Sequence, residues 1–266
     1  MKKEGDRGMR YVFLSESARE REASRLLCGE CVTELDAIPP CDVLVLPIPL
    51  SRDGETVSGV TKGGVPCTLA SLTAFLSRIP SKSVMAYDRH EALGGLPNVR
   101  YLTDDECFIQ DNAHLTAEGG LALLLSELNG RSLADFSVSM LGYGRIARAM
   151  LPLLAPMAKS ITVYARRASA LRAARRAGYR SLPFSSLADG VGKDTLLINT
   201  VPSASALEIA LDTHRHALLL ELACTKDVLS LCRAREGDTR MLLASAMPSR
   251  YAPQSAGAAL AAALLR

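Results

Sequence analysis

The chain has 266 residues, a formal net charge of +3 and 48% hydrophobic residues, the composition of an ordinary globular protein. That length predicts about two domains, each able to bury a core of its own. The mild charge, an aromatic content of 5% and the lack of tryptophan argue against a nucleic-acid face, so a small anionic partner is expected.

Residues 1–8 (MKKEGDRG) are charged and precede no apolar stretch that would read as an export signal, so they are expected to form a flexible tail. The longest apolar stretch, residues 256–265, is too short to span a bilayer. No membrane contact and a cytoplasmic location are therefore expected. Seven scattered cysteines without an export signal read as reduced thiols. Cys28-Gly29-Glu30-Cys31 has no second pair and no histidine at metal spacing, so these cysteines read as small buried hydrophobes and no metal site is expected.

In chain order, residues 10–14 read as a strand and 17–27 as a charged helix. Residues 42–46 (DVLVL) form an apolar run of the kind a parallel sheet buries on both faces, stopped by Pro47 and Pro49. Residues 51–64 read either as a long loop lining a substrate cleft or as a plain surface hairpin. A helix over 69–76 and strands over 83–87 and 99–102 complete a smaller parallel α/β layer. Residues 112–130 then read as a linking helix, with Thr116 as its cap, Glu118 in its first turn, and Leu121, Leu124, Leu125 and Leu128 along one face.

The next stretch carries the clearest chemistry. Residues 136–141 read as a strand and end in Gly142-Tyr143-Gly144-Arg145-Ile146-Ala147, a G-x-G-x-x-A turn opening a helix. Gly142 allows the sharp turn, Gly144 lets a diphosphate approach the backbone, and Ala147 lets the helix pack on the strand. The positive end of the helix then faces the phosphates. A second strand over 160–164 closes a β-α-β unit and runs into Ala165-Arg166-Arg167, where an NAD site usually has an acid. Two guanidiniums suit a 2′-phosphate, so NADP is expected ahead of NAD, although both arginines also fit a solvated helix start.

Beyond it the alternation continues: a helix over 168–177, strands over 180–182, 195–199, 217–221 and 241–244, short and long helices at 185–187 and 226–235, and a small-residue helix at the end. Asn199, Thr200, Val201 and Pro202 follow the fourth strand of this unit, beside a bound dinucleotide in a doubly wound sheet. His214 and His216 flank a strand start and are expected to face solvent.

The fold class is thus α/β with two domains, the second a doubly wound parallel Rossmann sheet. The expected divisions are a substrate-side domain over 9–111, the linking helix over 112–130, the dinucleotide domain over 131–247, and a C-terminal helix over 248–266 docking at the domain junction. Asn112, His114, Thr116 and Glu118 fall just before the expected junction and are the candidate catalytic or substrate residues, with His114 of the right type for proton transfer. Each also fits as a core residue, cap or surface side chain.

These segments together resemble the family of the A-type subunit of dipicolinate synthase. The resemblance runs from about Asp42 to the end. It rests on Leu46-Pro47-Ile48-Pro49, on Asn112 with Thr116-Ala117-Glu118-Gly119, on Leu141 through Arg145, and on Ala165-Arg166. Further on it rests on Ile198 through Pro202, on Glu221-Leu222-Ala223, and on Pro248 with Ala252 through Gly257. The departures are Ser15-Glu16-Ser17 after the first strand, Leu115 in place of a proline, and Ser249 in place of a glycine. The resemblance implies NAD(P)-dependent oxidation of a dihydrodipicolinate-type cyclic dicarboxylate to dipicolinate in sporulation, with the flavoprotein-like B-type subunit of dipicolinate synthase as partner; a homo-oligomer is also expected. Arg52, Lys62 and Arg250 are candidate cations for the two carboxylates. A reductase of the shikimate or alanine dehydrogenase type and a non-catalytic cofactor-binding regulatory subunit are the alternatives.

Overall fold

A computed structural model describes residues 8–79, 83–189, 195–213, 218–237 and 239–266. Residues 1–7 of the expected tail, His214, His216 and the first residue of the strand expected over 217–221 lie outside the described residues. The chain divides into two compact units, residues 1–112 with 248–266, and residues 113–247.

The first unit opens with β1 (Tyr11–Phe13), α1 (Ala18–Leu26), β2 (Glu30–Cys31) and β3 (Val43–Val45). The hairpin β4 (Thr56–Lys62) and β5 (Val65–Thr68) follows, then α2 (Leu69–Leu76), β6 (Ser83–Ala86) and β7 (Val99–Tyr101). Its five-stranded sheet is parallel throughout, in the order β2-β1-β3-β6-β7. Alternation along β1 explains the two layers on it. Tyr11 and Phe13 join a core with Val43, Val45, Phe108 and Leu260, whereas Val12 and Leu14 join one with Leu44, Leu72 and Leu76.

Residues 51–64 belong mostly to the hairpin: β4 pairs antiparallel with β5, and Gly63 and Gly64 at its tip both have positive φ, as a two-residue turn of this hand requires.

The helix α3 (Glu106–Ser126) begins ten residues before the Thr116 cap expected from the sequence. Its start is set by Asp105, whose Oδ1 accepts the Phe108 N–H at 3.0 Å, and Thr116 is buried in mid-helix at 6% exposure. The second unit continues with β8 (Ser137–Leu141), α4 (Arg145–Leu154), β9 (Ser160–Ala165), α5 (Ala168–Arg176) and β10 (Arg180–Pro183). Then come β11 (Thr195–Asn199), α6 (Ala204–Thr213), β12 (Leu218–Glu221), α7 (Lys226–Ala234) and β13 (Met241–Leu243). The six strands are parallel in the order β10-β9-β8-β11-β12-β13, the doubly wound dinucleotide-binding order. Val138, Met140, Leu196 and Ile198 meet α3 and α4 on one face; Leu141, Leu197 and Leu219 meet α6 and α7 on the other.

The chain ends in α8 (Met247–Tyr251) and α9 (Pro253–Leu264), and residues 248–266 group with the first unit. The small-residue helix thus starts at Pro253, and Gly257 lies inside it. A β-carbon at Gly257 would come within 2.5 Å of Glu22 Cβ and 2.9 Å of the Arg19 carbonyl oxygen, so α9 rests directly on α1.

Candidate functional site

In the second unit, β8 ends against both neighbours. The Gly142 N–H donates to the Tyr164 carbonyl at 2.8 Å, and the Leu141 carbonyl accepts from the Thr200 N–H at 3.0 Å and Thr200 Oγ1 at 2.8 Å. Gly142 turns the chain with φ +94°, where a β-carbon would lie 2.6 Å from Thr200 Oγ1 and 2.9 Å from Val201 Cγ2. Gly144 caps α4 with no side chain, and a β-carbon there would meet nothing within 4 Å. The bend is therefore pinned on the Gly142 side and open on the Gly144 side. Ala147, on the inner face of α4, is fully buried, while Tyr143 and Ile146 are half-buried and Arg145 is exposed. First-turn amides of a helix have no acceptor within the helix, so the space over Gly144 fits a diphosphate.

Ala165 is buried at the end of β9, and Arg166 and Arg167 after it are exposed. Neither arginine joins an ion pair among the described residues. Thr200 and Val201 are half-buried and Pro202 is exposed. Asn199 is fully buried: its Nδ2 donates to Glu221 Oε2 at 2.7 Å and to the Val201 carbonyl at 3.1 Å, and its Oδ1 accepts the Val201 N–H at 3.0 Å.

Glu221 enters the sequence reading through the Glu221-Leu222-Ala223 segment of the resemblance, which gives it no role as a site residue. Its carboxylate is fully buried, with Oε1 accepting the N–H groups of Ala223 at 2.7 Å and Cys224 at 3.0 Å. Burial pushes its pKa up to about 7, against the pull of the Asn199 amide and the two backbone donors.

The four residues singled out on α3 fall on different faces. His114 and Glu118 are exposed and one turn apart; Asn112 is half-buried and Thr116 buried, also one turn apart. Asn112 is grouped with the first unit and the other three with the second. Asn112 Oδ1 accepts from the Arg19 guanidinium at 3.4 Å, which also reaches Glu20 Oε1 at 3.5 Å and the Ile48 carbonyl at 3.4 Å. Arg19 and Glu20 are buried at 5% and 1% exposure, and desolvation raises the Glu20 pKa against the attraction of Arg19. Nothing in the charged run Ala18-Arg19-Glu20-Arg21-Glu22 marks those two as the buried pair.

The first unit has a cavity of about 530 Å³ at the carboxyl ends of β1 and β3, where a sheet of this strand order changes winding direction. Ser15, Ser17, Thr33, Arg52, Thr56 and Ser58 line it, so residues 51–64 are both a hairpin and part of a cavity wall. Asp53 beside them is held as a carboxylate, well below the usual range, chiefly by Thr56 Oγ1 at 2.6 Å and by the Thr56 and Glu55 N–H groups. Of the three candidate cations only Arg52 lines this cavity; Lys62 is exposed on β4 and Arg250 on α8.

Cysteine burial is mixed: Cys41, Cys67 and Cys232 are buried, Cys31 and Cys224 half-buried, and Cys28 and Cys107 exposed, so the general expectation of buried thiols does not hold at the last two. Among the described residues no three His, Cys, Asp or Glu side chains converge as a metal site, and no helix is long and apolar enough to cross a membrane.

No family model matches the chain, and no curated protein matches it in sequence. Solved structures do. The A-type subunit of dipicolinate synthase from Bacillus halodurans is similar over 97% of both chains, with a TM-score of 0.77 at 18% identity. Its counterpart from Bacillus subtilis, the dipicolinate synthase A chain, gives a TM-score of 0.71 at 20% identity over 97% of this chain and 94% of that one. Apo D-lactate dehydrogenase from Escherichia coli gives 0.61 at 10% identity over 96% and 94%. At these identities the likeness establishes the fold, a two-unit α/β architecture shared with dehydrogenases.

Proposed function

We propose that this chain is an oxidoreductase like the A-type subunit of dipicolinate synthase, preferring NADP and oxidising a dihydrodipicolinate-type cyclic dicarboxylate to dipicolinate in the cytoplasm of a sporulating cell, with a flavoprotein-like second subunit. The observation that carries the reading is the open bend at Gly144, on a sheet of the dinucleotide-binding order. The likeness to that dipicolinate synthase component over 97% of both chains supports the choice of substrate class.

In this reading the amides of Gly144 to Ala147 hold the diphosphate, with Tyr143 and Ile146 beside them and the 199–202 segment along one flank. Arg166 and Arg167 take the 2′-phosphate, which suits exposed guanidiniums that join no ion pair among the described residues. When bound, the nicotinamide supplies the hydride acceptor, and aromatisation of the substrate ring favours the oxidation. Arg52 and the hydroxyls of Ser15, Ser17 and Ser58 supply donors for the carboxylates; Asp53 repels them less because its charge is already shared among its own donors. His114, exposed on α3, is of the type to take the ring proton.

The test is reduction of NADP, followed at the absorbance band of the reduced nucleotide, with freshly made dihydrodipicolinate precursor, with and without the second subunit. Turnover is expected. Nucleotide binding without turnover in either mixture would instead favour the non-catalytic regulatory subunit. For the coenzyme, Arg166→Asp is expected to weaken NADP about 100-fold and NAD less than about threefold; equal loss of both would overturn the phosphate assignment.

A further inference from the structure

We propose that Glu221 is a positioning residue: its carboxylate, through Asn199, holds the Thr200–Val201 segment against the Gly142 bend, so that dinucleotide affinity depends on that carboxylate being charged. The inference rests on the cofactor reading above and adds to it a residue and a form of regulation.

The bonding pattern fixes the polarity. A backbone N–H can only donate, so the bond from Val201 N–H to Asn199 Oδ1 at 3.0 Å turns Asn199 Nδ2 toward Glu221. Glu221 therefore faces three donors, Nδ2 and the N–H groups of Ala223 and Cys224, none of which can become an acceptor. The ionised form accepts all three most strongly: two donors occupy Oε1, so a proton must take the remaining lone pair of Oε2, where it weakens the bond from Asn199 Nδ2. The connection then runs to the bend. Asn199 also holds the Leu222 N–H through its carbonyl at 2.9 Å, and Thr200 and Val201 are the residues a β-carbon at Gly142 would strike.

Among the described residues packed around it, Glu221 is the group that titrates near neutrality. On its face of the sheet, α6 and α7 present Leu207, Ala210, Val228 and Cys232, and of these only the thiol ionises. Burial and the Glu221 charge push Cys232 up to about 11, so it stays neutral. Lys226 and Asp227, at the start of α7, are exposed, and β13 beside Glu221 contributes Leu242, Leu243 and the Ala244 N–H. With burial raising Glu221 to about 7, the charged form dominates above that pH and is lost below it.

The experiment measures NADP and NAD dissociation constants by calorimetry from about pH 6 to about pH 8, with thermal midpoints, for wild type, Glu221→Gln and the double variant Asn199→Asp with Glu221→Gln. Wild-type affinity is expected to fall about tenfold toward the acid end, and Glu221→Gln, whose amide opposes Asn199 Nδ2, to bind about tenfold more weakly at the alkaline end. The ratio of the two constants should shrink with falling pH, which removes the nucleotide's own phosphate titration. In the double variant the carboxylate introduced at position 199 accepts from both the amide introduced at position 221 and the Val201 N–H but gives up the bond to the Val201 carbonyl, so affinity should recover part of what Glu221→Gln alone loses. Equal constants and equal pH profiles for wild type and Glu221→Gln would overturn the inference and leave the cofactor reading standing. A wild type that binds neither nucleotide would overturn both. If Glu221→Gln does not fold, the wild-type profile decides: a flat one overturns the inference and a falling one, with recovery in the double variant, supports it.

Discussion

Gly142 and Gly144 stand two residues apart and carry opposite constraints. Gly142 has φ +94° and lies under Thr200 and Val201, so Gly142→Ala combines a left-handed backbone with a clash at 2.6 and 2.9 Å. A loss of about 2–4 kcal/mol is expected in denaturant unfolding. Gly144 has φ −86° and open space, so Gly144→Ala should change stability by less than about 0.5 kcal/mol and yet weaken dinucleotide binding about tenfold or more, because the methyl takes up room meant for the diphosphate. Unchanged affinity in Gly144→Ala would move the phosphate site elsewhere. Both glycines were legible in the sequence because the turn is local: strand, bend and helix start lie within one short stretch. Glu221 was visible as part of a family-like segment, but its role was not, because that depends on Asn199, 22 residues away, and on a burial that no spacing encodes. Arg19 and Glu20 were hidden for the same reason, inside a run of charges that otherwise faces water.

Elements were legible where apolar pattern and length agreed, as at α2, found over the same residues in sequence and structure. They were misplaced where one signal had two readings. Thr116 followed by Glu118 has the look of a helix start, but Asp105 supplies the cap and α3 runs through. The helix α6 was not foreseen, since Ala204-Ser205-Ala206-Leu207 after the Pro202 segment shows no strong stripe. The last helix was expected to pack closely because its residues are small, and its closest approach is at Gly257. Gly257→Ala puts a methyl against Glu22 Cβ and the Arg19 carbonyl, atoms that cannot rotate away, so a loss of about 1–3 kcal/mol is expected. Ala258→Ser, on the exposed side of α9, is the control and should cost less than about 0.5 kcal/mol. Equal midpoints for both variants in denaturant unfolding would mean that α9 does not sit on α1 as described.

At the scale of the whole molecule, two parallel sheets of different strand order share one chain but differ in continuity. The second unit is one stretch, and every proposed nucleotide contact lies within it. The first is assembled from both ends, its core closed by Leu260, Ala261, Ala263 and Leu264 over Tyr11, Phe13, Val45 and Phe108. Removing residues 248–266 therefore uncovers one core and leaves the other whole. A chain ending at Met247 is expected to lose the calorimetric transition of the first unit, because several large apolar side chains become exposed at roughly 1.5–3 kcal/mol each. It should still bind NADP with a dissociation constant within about threefold of the full chain. A fragment over residues 106–247, which keeps α3 intact, should do the same. Two unchanged transitions after the truncation would mean that the C-terminal helix is an accessory to the first unit; loss of nucleotide binding in both pieces would mean that the glycine bend depends on residues outside its own sheet.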